Sequence, residues 1–319
     1  MTLKSKTYTL LKRVSRKIQI PIESPPSQLF PLLPELPLPE GVSERKLRDF
    51  LESVLVSNAP PKEMKNYCKQ DFRRFVYTYG LTQNLAGNCL ELGANPYFTT
   101  MLLRKFTQLD LTLANYFGSD QPDKIIVQEV KYNDFKSGDR LSVKFESHHF
   151  NIEEEHFPFK DAAFDVVLFC EIIEHLIKDP VAVLREIKRI LKPEGTLILT
   201  TPNANRLENI TKMIAGVNIF DVYSGYGVYG RHNREYNKHE LYLLLSYLGF
   251  DIKSMFSADV YPNQANDYSS ITKLKPILSK LRKLDLGQYI FIKACNAKKA
   301  GEKKPAFLYR SYPDDQIEQ

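Results

Sequence analysis

The sequence predicts an α/β fold in which a mostly parallel sheet carries helices on both faces behind an N-terminal helical extension. Three observations predict it. From about residue 86 short apolar runs alternate with helical periodicity, the pattern of a parallel sheet whose crossovers are helices. Several of these runs end directly in polar or turn-forming residues. Before residue 86 the pattern is helical or proline-broken, with no strand-like alternation.

The 319 residues, 43% hydrophobic and 26% charged, suit one large globular domain with extensions. No apolar run reaches the ~18 residues of a membrane span. Cys68, Cys89, Cys170 and Cys295 lack disulfide-framework or zinc-knuckle spacing, which fits a reducing cytoplasm. The net charge of +6 favours an anionic partner only mildly.

Residues 1–40 read as a basic and proline-rich extension. Within it, 1–20 suit a basic helix with Leu10, Leu11, Val14 and Ile18 on one side, which could lie on an acidic membrane surface or serve as a frayed packing arm. The seven prolines of 21–40 exclude helix and central strand and leave an extended linker or strap. Residues 41–84 read as a helical cap, with helices near 43–57 and 61–80. The second presents Tyr67, Phe72, Phe75, Val76 and Tyr79.

The main domain is expected over 85–296. Strands fall at 88–92 and 111–115 around a helix at 96–109. Runs 124–132 and 140–152 form a hairpin about Ser137-Gly138-Asp139. Strand 164–170 leads into a short helix ending near 177, then a longer one at 180–192. Strand 196–201 stops at Pro202. Helices near 205–215 and 237–248 precede strands 250–258 and 288–296. The tail 297–319 reads as polar and flexible.

Ligands of open α/β sheets bind beyond the carboxyl ends of the strands. Here that rule selects Glu91–Tyr97, Asn115, Asn151–Glu153, Cys170–His175 and Thr201–Asn205. Gly93 permits close backbone approach. Asn115 can accept from a ribose-like hydroxyl pair and Asn151 from an exocyclic amine, so the set suits a nucleoside. Singly, each residue also suits a turn or cap.

The order "LELGAN", "FPFKDAAFDVVLFCEIIEHLIKDP", "LKPEGTLILTTPN" and "REYNKHELYLLLSYLGF" resembles the class I S-adenosylmethionine-dependent methyltransferases. The likeness is greatest to the branch holding the ubiquinone-type O-methyltransferases and bacterial sugar or glycan methyltransferases. It spans about 85–295 and is densest over 157–205. The resemblance implies a Rossmann-like, seven-stranded sheet whose last strand, 288–296, is inserted antiparallel. It implies S-adenosylmethionine as cofactor. Glu91, Gly93, Ala94 and Asn95 would surround the methionine part, Asn115 would face the ribose, Asn151 and Ile152 the adenine, and Cys170 the reactive end. The family's Gly-x-Gly-x-Gly loop keeps only Gly93, with Asn95 and Tyr97 at the other two positions. The acidic ribose ligand appears as Asn115 and the adenine-contacting Asp as Asn151.

Glu171, Glu174 and His175, at i, i+3 and i+4, share one face if the chain there is helical. His232 lies in the later loop "YGRHNREY". The four resemble the metal site of small-RNA 3′-end 2′-O-methyltransferases, and two carboxylates with two imidazoles can bind Mg²⁺, Mn²⁺ or Zn²⁺. Without a metal, His175 or His232 can act as general base. Glutamates in a first helical turn also serve the dipole alone. His148 and His149 point to opposite faces of one strand and form no joint site. Phe220, Tyr223, Tyr226, Tyr229 and Tyr236 share the loop of His232, as a wall for a sugar or as the loop's own packing.

The expected function is O-methylation of a hydroxylated small-molecule, sugar, glycan or glycan-lipid acceptor, in the cytoplasm, with a peripheral membrane contact through 1–20 as a further expectation. Methylation of an RNA 3′ end is the alternative; no dense basic stripe speaks for nucleic acid. A methyltransferase fold that binds without catalysing is the other, motivated by the altered loop.

Overall fold

The computed structural model describes residues 35–222, 227–270, 274–281, 285–308 and 314–318. The expected basic helix at 1–20, most of the proline-rich stretch, and Tyr223 and Tyr226 lie outside them. In chain order the main elements are α1 (Glu44–Glu52), β1 (Leu55–Val56), α2 (Pro61–Thr82), β2 (Ala86–Leu92), α3 (Phe98–Phe106), β3 (Gln108–Asn115), β4 (Ile125–Asn133), β5 (Arg140–His149), β6 (Phe164–Cys170), α4 (Pro180–Ile190), β7 (Leu191–Pro202), α5 (Leu207–Ile214), α6 (Lys238–Tyr247), β8 (Phe250–Ala258) and β9 (Tyr289–Asn296).

One sheet runs β1-β4-β5-β3-β2-β6-β7-β9-β8. The pairs β5/β3, β3/β2, β2/β6 and β6/β7 are parallel. β9 is inserted antiparallel between β7 and β8. Seven of the strands form the expected Rossmann-like sheet, and two more extend one edge. β4 folds back on β5 as the predicted hairpin, replacing a crossover helix. β1 adds antiparallel to β4 inside a stretch expected to stay helical to residue 57. α1 stops earlier because Ser53 turns its hydroxyl onto the Phe50 carbonyl, capping the last turn.

The sheet separates two hydrophobic cores. On one face α1, α2 and α3 bring Leu47, Phe72, Phe75 and Leu102 against Val166, Leu168, Ile198 and Phe291. On the other, α4 and α6 bring Leu184, Ile187, Leu241 and Leu244 against Leu90, Val167, Leu197 and Ile292. Alternation along β6 and β7 sends successive side chains to opposite faces, so both cores draw on the same strands. α4 begins at Pro180 with the Asp179 carboxylate accepting from the Val181 and Ala182 amides, a pre-set and capped start.

Residues 35–40 are a strap. Leu36 and Leu38 pack on the first core, and a Cβ at Gly80 would fall 2.1 Å from Pro37 Cγ, so α2 admits the strap only where it lacks a side chain. The tail expected to be flexible is docked as far as Leu308. Arg185 donates to the Gly301 and Lys303 carbonyls, and Leu308 is buried in the second core. No helix among the described residues is long and apolar enough to cross a membrane.

Candidate active site

Two adjoining clefts open at the carboxyl ends of β2, β3 and β6. The first, about 210 Å³, is lined by Ala114, Phe150, Asn151, Ile152, His175 and Leu176. The second, about 380 Å³, is lined by Arg74, Glu91, Ala94, Asn95, Phe98 and Cys170. Gly93, Asn115, Tyr116, Glu171 and Tyr229 border both. Each residue assigned to the cofactor in the sequence reading lines one cleft or the other.

The loop after β2 is held from below. Gly93 takes φ +70°, and its N–H donates to the Ala114 carbonyl. The Asn95 N–H donates to Asn115 Oδ1 at 2.8 Å. Tyr97, at the last of the loop's three glycine-rich positions, adopts φ +71°, a conformation that disfavours a side chain. It is retained because the ring is fully buried, stacks on Phe145 at 5.0 Å, and donates its hydroxyl to Gln128 Oε1 at 2.6 Å. Gln128 and Phe145 belong to the added hairpin. Asn115 Nδ2 donates to Ser147 Oγ, so this amide, read as a ribose ligand, also ties the loop to β5. Asn151 Nδ2 donates to the Tyr229 hydroxyl, which brings the later loop over the first cleft.

Glu91 is buried and accepts from Thr100 Oγ1 at 2.6 Å; burial pushes its carboxyl up to about 8. α2 contributes Arg74, which the sequence reading missed. Its guanidinium is buried, donates to Asp71 Oδ1 at 2.8 Å and to the Tyr67 hydroxyl at 2.5 Å, and lines the second cleft opposite Glu171. Burial opposes its charge, but Tyr67, Glu171 and Asp71 outweigh that and hold it protonated. The signal was present: Asp71 and Arg74 fall at i and i+3 on the buried stripe of an amphipathic helix, where a charged pair needs a reason.

The segment after β6 departs from the helix expected there. Only Ile173–His175 form a single 3₁₀ turn. Glu171 stands before it at φ +56°, so the three side chains do not share one helical face. Glu171 accepts from Thr200 Oγ1 at 2.7 Å, and its carboxyl is raised by burial against the lowering pull of Arg74. Glu174 is fully buried; Thr201 Oγ1 donates to its Oε2, while Oε1 has no hydrogen-bond partner. Burial, then the nearby Glu171, pushes Glu174 up to about 8.

The loop carrying His232 is stapled to this turn. The Asn233 and Arg234 N–H groups donate to the Glu174 carbonyl, and Asn233 Nδ2 donates to that of His175. The imidazoles of His175 and His232 meet edge to face at 5.1 Å. His175 Nδ1 bonds the Arg231 carbonyl at 2.9 Å, and its Nε2 lies 3.8 Å from Glu174 Oε1. His232 Nδ1 lies 3.0 Å from Glu235 Oε1, and the other Glu235 oxygen pairs with Arg206. Burial and His232 lower the His175 pKa. For His232 burial also pulls down, but Glu235, Glu174 and Asp221 outweigh it and the pKa is raised.

Ligand atoms of Glu174, His175 and His232 all lie within 4.8 Å of one another, and those of Asp221, His232 and Glu235 form a second such group. Glu171 is in neither. Glu235 and Asp221 went unread because nothing in "REY" or "FDV" marks them before the loop folds back. Of the loop aromatics, Tyr229 reaches the cleft, Tyr236 is core, and Phe220 is exposed.

The sheet order is that of the Rossmann-like methyltransferase fold. Residues 90–199, about a third of the chain, match the family model described as a methyltransferase domain. No curated protein matches the chain. Among solved structures, it is similar to an S-adenosylmethionine-dependent methyltransferase from Archaeoglobus fulgidus (17% identity, 72% of this chain and 93% of that chain, TM-score 0.42). It is likewise similar to one from Thermotoga maritima (15% identity, 74% and 95%, TM-score 0.44).

Proposed function

We propose that this methyltransferase transfers the methyl group of S-adenosylmethionine to a hydroxyl of a sugar, glycan or glycan-lipid. The observation that carries the reading is the Glu174–His175–His232 cluster beside the two cofactor-sized clefts. In methyl transfer the acceptor oxygen attacks the sulfonium methyl in line, the new O–C bond forms as C–S breaks, and S-adenosylhomocysteine leaves neutral. A sugar hydroxyl is a weak nucleophile while it keeps its proton. His232, oriented by Glu235 and raised toward working pH, suits the group that takes that proton. Arg74, the one buried guanidinium on the second cleft, suits the carboxylate of the cofactor's methionine.

The same cluster fits a divalent cation such as Mg²⁺, Mn²⁺ or Zn²⁺. Glu174 Oε1 is a buried acceptor without a donor, and both histidines anchor Nδ1 on a carbonyl or carboxylate, the arrangement that orients metal-ligating imidazoles. Glu174, His175 and His232 would hold the ion, which would supply polarisation of adjacent hydroxyls. Adjacent hydroxyls also occur at an RNA 3′ end, the second reading this cluster supports.

Calorimetric titration of S-adenosylmethionine, with Mn²⁺ and with chelator, tests the reading. Micromolar binding is expected. Its absence in both conditions would leave a methyltransferase fold that binds something else and does not catalyse.

A further inference from the structure

The largest cavity described, about 820 Å³, lies outside the clefts above, between α2 and the 259–263 segment that follows β8. Its α2 wall presents Asn66, Lys69, Gln70 and Arg73, spaced so that one helical face supplies all four. Arg48 of α1 adds a second guanidinium, held over the Phe72 ring and paired with Glu44 at 2.7 Å. Lys69 makes no ion pair or hydrogen bond among the described residues. Arg73 is fixed, not free to swing, because its Nε donates to the Asp259 carbonyl and it also donates to the Tyr77 hydroxyl.

One carboxylate, Asp259, lines this cavity. Its Oδ1 is turned toward the sheet, where it accepts from the Gln288 N–H at 3.2 Å and the Asn263 amide at 3.5 Å. Among the described residues the cavity therefore has Lys69 as a cation without a protein partner, Arg73 without an ion pair, Arg48 shared with Glu44, and several amide donors, against one lining acid already engaged by protein donors. Tyr261, on its far wall, stands 6.4 Å from Tyr289, and Tyr289 lies under Arg74 at 5.8 Å. A run of contacts from Tyr261 through Tyr289 to Arg74 thus links the wall of this cavity to the cofactor cleft.

We infer that the cavity is an anion subsite that binds a phosphoryl group of the acceptor, as in a nucleotide-linked or phosphorylated sugar. The inference rests on the acceptor reading proposed above. Planar guanidinium and ammonium donors suit phosphoryl oxygens, and a volume of about 820 Å³ admits a group larger than a phosphate.

Inorganic pyrophosphate titrated calorimetrically into the full chain at low ionic strength is the test. Saturable binding is expected, weakened about tenfold or more by Lys69→Glu. Lys62→Glu, an equal charge change on the exposed part of α2 outside the cavity, should alter it no more than about twofold. S-adenosylmethionine binding should be unchanged in both variants. UDP-glucose should displace pyrophosphate. No pyrophosphate binding, or equal weakening by both charge reversals, overturns the site. Displacement by a single-stranded RNA 20-mer but not by UDP-glucose overturns the sugar assignment in favour of RNA. Selective pyrophosphate binding without any S-adenosylmethionine binding overturns the acceptor role and, separately, the methyltransferase reading.

Discussion

His175 Nε2 stands 3.8 Å from Glu174 Oε1, a fully buried carboxylate oxygen that no protein donor satisfies. A buried acceptor without a partner ordinarily costs ~1–3 kcal/mol. Here burial raises the carboxyl to about 8, so at neutral pH the proton itself reduces that cost. Glu174→Gln should therefore leave stability within about 1 kcal/mol by urea denaturation, and at the same time abolish Mn²⁺ binding measured by calorimetry. A variant that unfolds readily, or that binds Mn²⁺ as well as the parent, would contradict this account.

Metal binding should release protons. A ligating carboxylate must lose the proton that burial lets it keep, so Mn²⁺ affinity should rise from pH 6 to pH 8, by up to about tenfold per pH unit per proton displaced. Calorimetry in two buffers of different ionisation enthalpy measures the release directly.

Without metal, stability should move the other way. Glu91 and Glu174 are held at about 8, above the 4.5 they have when unfolded. Between those values the folded chain holds more protons than the unfolded one. Their contribution is thus fully present below about pH 4.5 and is lost as pH rises through 8. Glu91→Gln together with Glu174→Gln should flatten the fall in denaturation free energy over this window.

Arg74 should matter twice. Arg74→Met leaves Asp71 buried without its partner, a loss of about 3–5 kcal/mol for a broken buried pair. Arg74→Lys keeps the charge but not the fork. It should remain folded by thermal melting and weaken S-adenosylhomocysteine binding by about tenfold. Equal affinity in the lysine variant would remove Arg74 from cofactor recognition.

Tyr97→Phe should cost about 1 kcal/mol through the lost hydroxyl bond to Gln128, with an unchanged urea slope. Tyr97→Gly relieves a positive φ worth ~1–2 kcal/mol, yet it empties a buried ring site worth ~3–5 kcal/mol. It should be the less stable of the two although glycine is the residue the backbone would choose.

The sheet was legible because buried strands and amphipathic helices leave different periods in the sequence, and β6, β7 and α4 show them cleanly. The hairpin of β4 and β5 was legible for the same reason. Two-residue β1 was not: a strand that short carries no period, and only the exposed edge of β4 gives it a partner. His175, Glu174 and His232 were visible as residue types at the end of a strand and in a later loop. Their arrangement was not, since a positive φ at Glu171 and one 3₁₀ turn decide where each side chain points. Local sequence specified which groups stand at the strand ends. Only tertiary packing decided that Arg74 crosses from α2 to face Glu171, that Glu235 orients His232, and that Tyr97 replaces a glycine by leaning on a hairpin 31 residues away in sequence. Those contacts join distant segments, and no local pattern encodes the distance between them.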